Sequence, residues 1–477
     1  MKKSIYFLLY SLFFILASAQ AQQIQWASKL IKFSTDLGGK QNSIKRILGK
    51  PDAFPQGGAS ANAWMPKRAL DGSETIEVGF EKPQTVKQVA VFENLNSGCV
   101  TKISVDNGSG NYETVWTRKR DWKTPTFKST ASADHAYYFG RKRRKVQEVP
   151  DVFNPGIEYA ILQNAVSNVV AVKVEFNFAL LPGAKQIDAI GISDSDTPIE
   201  VKINTIPVFD NLPKPESLEF ENSEVSNVMV SQDGQKIFYS AFANGKDVVF
   251  SSRKQADGKW AKPPVAEPSL SLNDDYNYME FYSDNFILKG GVEYTKNTTE
   301  TGFEFFENKN GNFQSLKPLK IAAYNNYEKT ADITITNDGK IIIMGIETDF
   351  TQGGTDLYFA NQKEDGTYGL LQNMGKVINS AADEGMPQLL SDTKTLFFSS
   401  IGFSSYGNYD IYVSYRLDDS WKKWSEPINL GNKINSDGFE GSPFYDETTE
   451  MLYFTRIIEG KSAIGRVKIP KSELMKN

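Results

Sequence analysis

The sequence predicts an all-β protein, an N-terminal β-sandwich followed by a five-bladed β-propeller. Three observations carry this. First, the chain repeats a phrase. Asn379-Ser-Ala-Ala-Asp-Glu384-Gly-Met-Pro387, then Ser391-Asp-Thr-Lys and Leu396-Phe-Phe-Ser-Ser400, returns as Asn435-Ser-Asp-Gly-Phe-Glu440-Gly-Ser-Pro443 and Met451-Leu-Tyr-Phe-Thr455. A recurring unit of short strands and turns builds an array in which neighbours bury each other's faces. Second, Gly, Asn, Asp and Ser punctuate the chain densely, and helix signals are thin. Third, the first part of the chain alternates apolar and polar residues in short runs without that repeat.

The extreme N-terminus is read apart from the fold. Lys2 and Lys3 precede an apolar run from Ile5 to Leu16, and Ala19-Gln-Ala21 is a small-x-small cleavage site. These features predict a signal peptide over residues 1–21 and a mature chain starting near Gln22. No cysteine follows the run, so a lipid anchor is not expected. No later segment has the length of a membrane-spanning helix. The expected location is therefore outside the cytoplasm: periplasm, outer-membrane-associated or cell surface.

Cys99 is the single cysteine. An internal disulfide is impossible, and the residue reads as a small buried apolar group. The net charge of −5 divides unevenly, +4 over Gln23–Glu200 and −11 over Val201–Asn477. Two regions of opposite sign are expected to meet different surroundings.

Residues 22–195 are expected to form the sandwich. Thr75–Phe80 and Val86–Phe92 alternate. Val105-Asp-Asn-Gly leads by a turn to Tyr112–Trp116, and Val170, Val172, Val174 and Phe176 fall on one face. Ser43–Leu48 predicts a single helical turn. The ordered set of Trp64, Ile76-Glu-Val-Gly-Phe80, Lys82-Pro83, Val86-Lys-Gln-Val-Ala-Val91 and Val105–Trp116 resembles the discoidin, or galactose-binding-like, family. Ser43–Pro51, Glu93–Gly98 and Ile187–Ser193 are similar to the version in envelope proteins of Bacteroides-type bacteria. That resemblance implies sugar or surface-ligand binding by loops at one end, here Asn42–Gln56 and Glu93–Gly98. Trp64 would stack on a sugar face, with Glu93, Asn94 and Asn96 beside it. The competing reading is that Trp64 is core and the asparagines satisfy their own turns.

Arg141-Lys142-Arg143-Arg144-Lys145 is a run of five cations. It reads either as a solvated edge that discourages strand pairing or as a dock for anionic partners. Nucleic acid is not an expected partner of an exported chain. His135 is the only histidine, and no Ser/His/Asp arrangement surrounds it.

Residues 196–215, with four prolines, are expected as a linker, 216–470 as the propeller and 471–477 as a tail. Ser231, Ser283, Thr336, Ser391 and Asp446 precede the hairpin turns at spacings of 52, 53, 55 and 55, which counts five blades. The fifth runs out of chain before its outer strand. Val208–Phe220 is expected to supply it and close the ring. The unit from Asn379 to Gly431 resembles the WD40-like, TolB-type propeller repeat. In envelope proteins that repeat often precedes an OmpA-like domain, which is not expected here.

Glu224, Glu328, Glu384 and Glu440 each stand near the entrance to an innermost strand and are the candidates for a funnel. Glycoside hydrolysis needs two carboxylates in different roles, whereas these recur in register. The expected function is a non-catalytic envelope scaffold. Its sandwich contacts glycan or an envelope component, and its propeller docks a protein. The alternative is a secreted glycan-active enzyme. No cofactor is expected, and no spacing identifies a metal site.

Overall fold

The computed structural model describes residues 21–130, 154–218, 220, 224–283, 285–290, 300–328, 330–458 and 460–475. The expected signal peptide up to Gln20, His135 and the basic run Arg141–Lys145 lie outside the described residues.

The N-terminal unit is built from β1 (Ile24–Trp26), β2 (Lys29–Phe33), β3 (Ser73–Glu93), β4 (Val100–Asp106), β5 (Glu113–Thr117), β6 (Gly156–Asn177) and β7 (Ala189–Ser193). All pairs are antiparallel, in the order β1-β7-β3-β6-β4-β5, with β2 on β3. The long strands β3 and β6 each have two arms. Ser73–Gly79 pairs with Ala171–Asn177, and Gln88–Glu93 pairs with Gly156–Ile161, with register shifts between. Ile76, Val78, Val89, Val91, Val172, Val174 and Phe176 meet in one core. The shifts explain one departure from the alternating pattern. Val169, opposite Gln84, is buried, and Val170 is only half-buried, because an irregular pairing displaces the side-chain parity of a strand. The helical turn expected at Ser43–Leu48 is a 3-10 turn over Ile44–Ile47.

Beyond it, the strands among the described residues form five four-stranded antiparallel sheets, one per blade. Blade 1 starts with Val225–Val230, blade 2 with Met279–Ser283, blade 3 with Asp332–Ile335, blade 4 with Glu384–Leu389 and blade 5 with Glu440–Asp446. The hydroxyl residues before the hairpins act through their side chains. Lys236 N donates to Ser231 Oγ (2.9 Å) and Ile341 N to Thr336 Oγ1 (3.1 Å). At these two positions the hydroxyl satisfies the returning strand's first N–H, whereas Ser391 Oγ donates to Glu447 Oε2 (2.6 Å).

The ring closes through the expected segment. Strand β8 (Glu216–Leu218) pairs with Ile464–Arg466 of blade 5 and becomes its outer strand. The segment expected as a linker is packed. Pro207 opens helix α1 (Pro207–Asp210), and proline suits the first helical position because that N–H has no partner within the helix. Phe209 and Leu212 are buried with Leu430, Ile434, Val467 and Ile469. Asn204 holds the edge of blade 4 at both ends, its O accepting from Asn429 N (2.7 Å) and its Nδ2 donating to Pro427 O (2.7 Å). Leu474, in the expected tail, is fully buried in the same core.

Candidate functional site

The sequence candidates of the N-terminal unit build its loops. Trp64 has no exposed surface and packs against Phe176 and Phe178, with centroids at 6.0 and 6.2 Å. Its ring presents no face to a sugar, which corrects the stacking expectation. Glu93 is buried and accepts from Gly98 N (2.9 Å), Cys99 N (2.8 Å) and Cys99 Sγ (2.8 Å). Burial raises the pKa of Glu93, and burial plus the nearby carboxylate pushes the Cys99 thiol well up. Asn94, also buried, donates to Gly58 O (2.8 Å) and Gln186 Oε1 (3.0 Å). Asn96 adopts φ 50 and donates to Ala184 O (2.7 Å). Left-handed backbone is tolerated by asparagine.

The four propeller carboxylates separate into two kinds. Glu384 is fully buried. It accepts from Ser380 N (2.8 Å), Ser380 Oγ (2.7 Å) and Ser400 Oγ (2.7 Å). Glu440 repeats this with Ser436 N and Oγ, both at 2.7 Å. Burial pushes their pKa values up to about 8 and about 7. Glu224 and Glu328 are exposed. The expected ring of four equivalent funnel carboxylates is therefore absent among the described residues.

The remainder of the repeated phrase is a clamp between blades, which the sequence did not disclose. Asn379 accepts from Leu357 N (2.8 Å) and donates to Leu357 O (2.9 Å). Asn435 does the same to Ile411, at 2.9 and 3.0 Å. Each asparagine also reaches the turn asparagine that precedes it, Asn373 (3.0 Å) or Asn429 (2.8 Å). Those two donate in turn to Asp356 and Asp410, both at 2.6 Å. The missed signal was the Asp that begins each third strand together with the Asn-x-Gly turns at Asn373 and Asn429. Asn379→Ala leaves the buried Leu357 N without its acceptor and removes one of two donors to Leu357 O, which keeps Met374 N (3.1 Å), so it is expected to cost about 1–3 kcal/mol in urea unfolding. A loss under about 1 kcal/mol would mean that the clamp is incidental.

Tyr278, Glu280, Met386, Gln388 and Phe444 line a central space of about 20 Å³, room for a single water. Among the described residues no group of three or more His, Cys, Asp or Glu is arranged to hold a metal ion. No helix among them is long and apolar enough to cross a membrane.

The most elaborated polar site is the junction of the two units. The expected ligand loop Asn42–Gln56 and its neighbours lie on the propeller. Asn62, 2% exposed, donates to Gly402 O (2.6 Å) and accepts from Ala381 N (2.7 Å). Those partners flank Ser380 and Ser400, the donors that hold Glu384. Arg46 donates to Gln352 O (3.0 Å) and Lys40 to Asp349 O (2.7 Å) on blade 3. Blade 4 supplies Ser404 Oγ to Pro51 O (3.0 Å) and Ser405 N to Gln56 Oε1 (3.2 Å). Thr130 reaches Ser405 O (3.3 Å). Behind this contact, Asp188 is buried and Asp52 half-buried, the two carboxyls adjoining. Asp188 accepts from Asp52 N (3.3 Å) and Ala53 N (3.1 Å). Asp52 Oδ1 has no hydrogen-bond partner. Burial raises both carboxyls, and the charge of Asp188 raises Asp52 further.

No protein-family model matches the chain, and no curated protein matches it. Among solved structures it is similar to TolB from Acinetobacter baumannii, at 11% identity and TM-score 0.32 over 51% of this chain and 54% of that one. It thus spans about half the length of that protein. An endo-arabinase from Bacteroides thetaiotaomicron is similar at 14% identity and TM-score 0.35, over 57% of this chain and 99% of the other. A family 32 carbohydrate-binding module from Streptococcus pneumoniae EndoD covers 36% of this chain and 99% of its own, at 7% identity and TM-score 0.24. At these identities and scores, nothing of this chain's function is read from theirs.

Proposed function

We propose that this chain is an exported, non-catalytic binding scaffold of the cell envelope. Its N-terminal unit is a galactose-binding-like sandwich that contacts glycan, and its propeller docks a protein partner. The observation that carries this reading is how the repeated carboxylates are used. Glu384 and Glu440 each close the loop of their own blade through serine donors, and the space between the innermost strands lined by Tyr278, Glu280, Met386 and Gln388 has room for a single water. A hydrolase needs an acid and a base or nucleophile on either side of an open substrate cleft.

Of the two loops first expected to bind glycan, Asn42–Gln56 is occupied by the propeller and Glu93–Gly98 is spent on hydrogen bonds within its own unit, so the glycan contact belongs at the other end of β7. There Gln22, Lys87, Asp194, Ser195, Asp196 and Thr197 surround a groove of about 570 Å³, a ligand-sized volume lined with hydrogen-bonding groups.

The test is a panel of bacterial and plant polysaccharides, scored for both retention of the full chain and release of reducing ends. Retention without release is expected from the parent protein, from Glu384→Gln and from Glu440→Gln. Release by the parent that either substitution abolishes would establish the enzyme reading instead.

A further inference from the structure

The junction holds more buried acid than its architecture requires. Gly49–Gln56 is the loop that grips blade 4, through Pro51 O and Gln56 Oε1. Between these two attachments sits Asp52, half-buried against the buried Asp188, with its Oδ1 shielded from solvent and without a hydrogen-bond partner. Two carboxylates this close, one oxygen shielded and unpartnered, repel one another when both are charged, which favours a proton held between them. Among the described residues, Arg46, on the adjoining 3-10 turn, is the cation acting on Asp52. Its guanidinium is committed to Lys40 O (2.7 Å) and Gln352 O (3.0 Å), and it also feels Asp356 and Glu384 from the propeller. It therefore cannot neutralise the pair by itself.

We propose that the junction is an acid-held latch: the N-terminal unit stays seated on blades 3 and 4 while Asp52 and Asp188 share a proton, and it loosens when they lose it. Loss of that proton leaves two adjacent anions beneath the docking loop. Asp52 is the one free to leave, because Asp188 is tied to two backbone N–H groups. Moving Asp52 toward water displaces Pro51 and Gln56 on either side of it, and with them both bonds to blade 4.

The sign follows from linkage. Burial raises these acids in the seated form, so the seated form binds more protons than the released one. Seating is then strongest at low pH and weakens as pH rises from the ordinary carboxylate range through the raised one. The other acids at the junction, Glu384 beneath Asn62 and Asp356 beside Arg46, are also pushed up by burial, to about 8 and about 7. Their contribution has the same sign and must be separated by mutation.

The experiment is small-angle scattering of the full chain from about pH 5 to about pH 10, a range that brackets the raised carboxyls. Near-ultraviolet circular dichroism in parallel confirms that both units stay folded. The parent is expected to expand at the alkaline end and to contract again on re-acidification. In Asp52→Asn an amide donates permanently to Asp188, so this variant is expected to stay compact across the range. Ser404→Ala weakens the seat without touching the pair and is expected to move the expansion to lower pH. It keeps the test decisive if Asp52→Asn does not fold. A parent of constant radius overturns the latch. So does Asp52→Asn expanding at the parent's pH, since that would assign control to Glu384 or Asp356. An unchanged profile in Ser404→Ala overturns it as well.

Discussion

Phe209→Ala is expected to destabilise the propeller by about 3–5 kcal/mol, the range for removing a fully buried aromatic side chain. Phe209 has no exposed surface and sits among Leu430, Ile434, Val467 and Ile469, at the seam of blades 4 and 5. Gly431 presses directly on it, with the ideal Cβ position of that glycine 3.3 Å from Phe209. The cavity would open beside the strand that closes the ring, because β8 begins a few residues later and contributes three paired residues to blade 5. A weakened anchor at α1 therefore loosens the closure as well as the seam. Urea unfolding of the full chain measures the loss as a shift in midpoint at constant slope. Lys214→Ala, on the exposed part of the same segment, is the control and should change stability by less than about 0.5 kcal/mol. Equal midpoints for the two variants would show that the segment is a tether and not part of the ring.

Trp64→Ala carries the second large effect, again about 3–5 kcal/mol, and it decides between two roles for one residue. A sugar-stacking tryptophan would lose polysaccharide retention on substitution and leave stability nearly untouched. A core tryptophan would do the reverse. The ring is enclosed by Phe176 and Phe178, and its backbone is bridged in both directions to Ile187. The expected result is a lower unfolding midpoint for the N-terminal unit, with retention unchanged wherever the variant remains folded. Full stability with lost retention would reinstate the ligand role.

Much of the propeller was legible because its signals are local. A hydroxyl or acid before each hairpin and an Asp-Gly or Asn-Asp-Gly turn act within a few residues of themselves. Their spacing counts the blades whether or not the blades pack well. The missing fifth outer strand followed from the same count, and β8 takes that place. The carboxylates were less legible. Glu384 and Glu440 look like Glu224 in sequence, yet among the described residues serine donors are seen on the first two. The four stand seven, eight, seven and six residues before their hairpin hydroxyl or acid, in chain order, and that spacing does not separate the buried pair from the exposed pair.

The N-terminal loops were misjudged for a different reason. An exposed-looking polar loop such as Asn42–Gln56 carries the same asparagines, arginines and carbonyls whether it awaits a ligand or seats against another part of the chain. Asn62 and Gly402 lie 340 residues apart, and no pattern in sequence announces that separation. The same holds for Asp52 and Asp188, at a separation of 136.

By itself, then, the sequence determined the all-β character, the number of blades, the way the ring closes and the apolar faces of the main strands. Turn chemistry and side-chain alternation are written over a handful of consecutive residues. Only the tertiary structure decided that the presumed linker is a wedge, that the repeated Asn and Glu form clamps, and that the presumed ligand loop is a seat for the propeller. Those outcomes depend on which distant groups exclude water from one another, and burial, which sets both their energies and their protonation, exists only once the chain has folded.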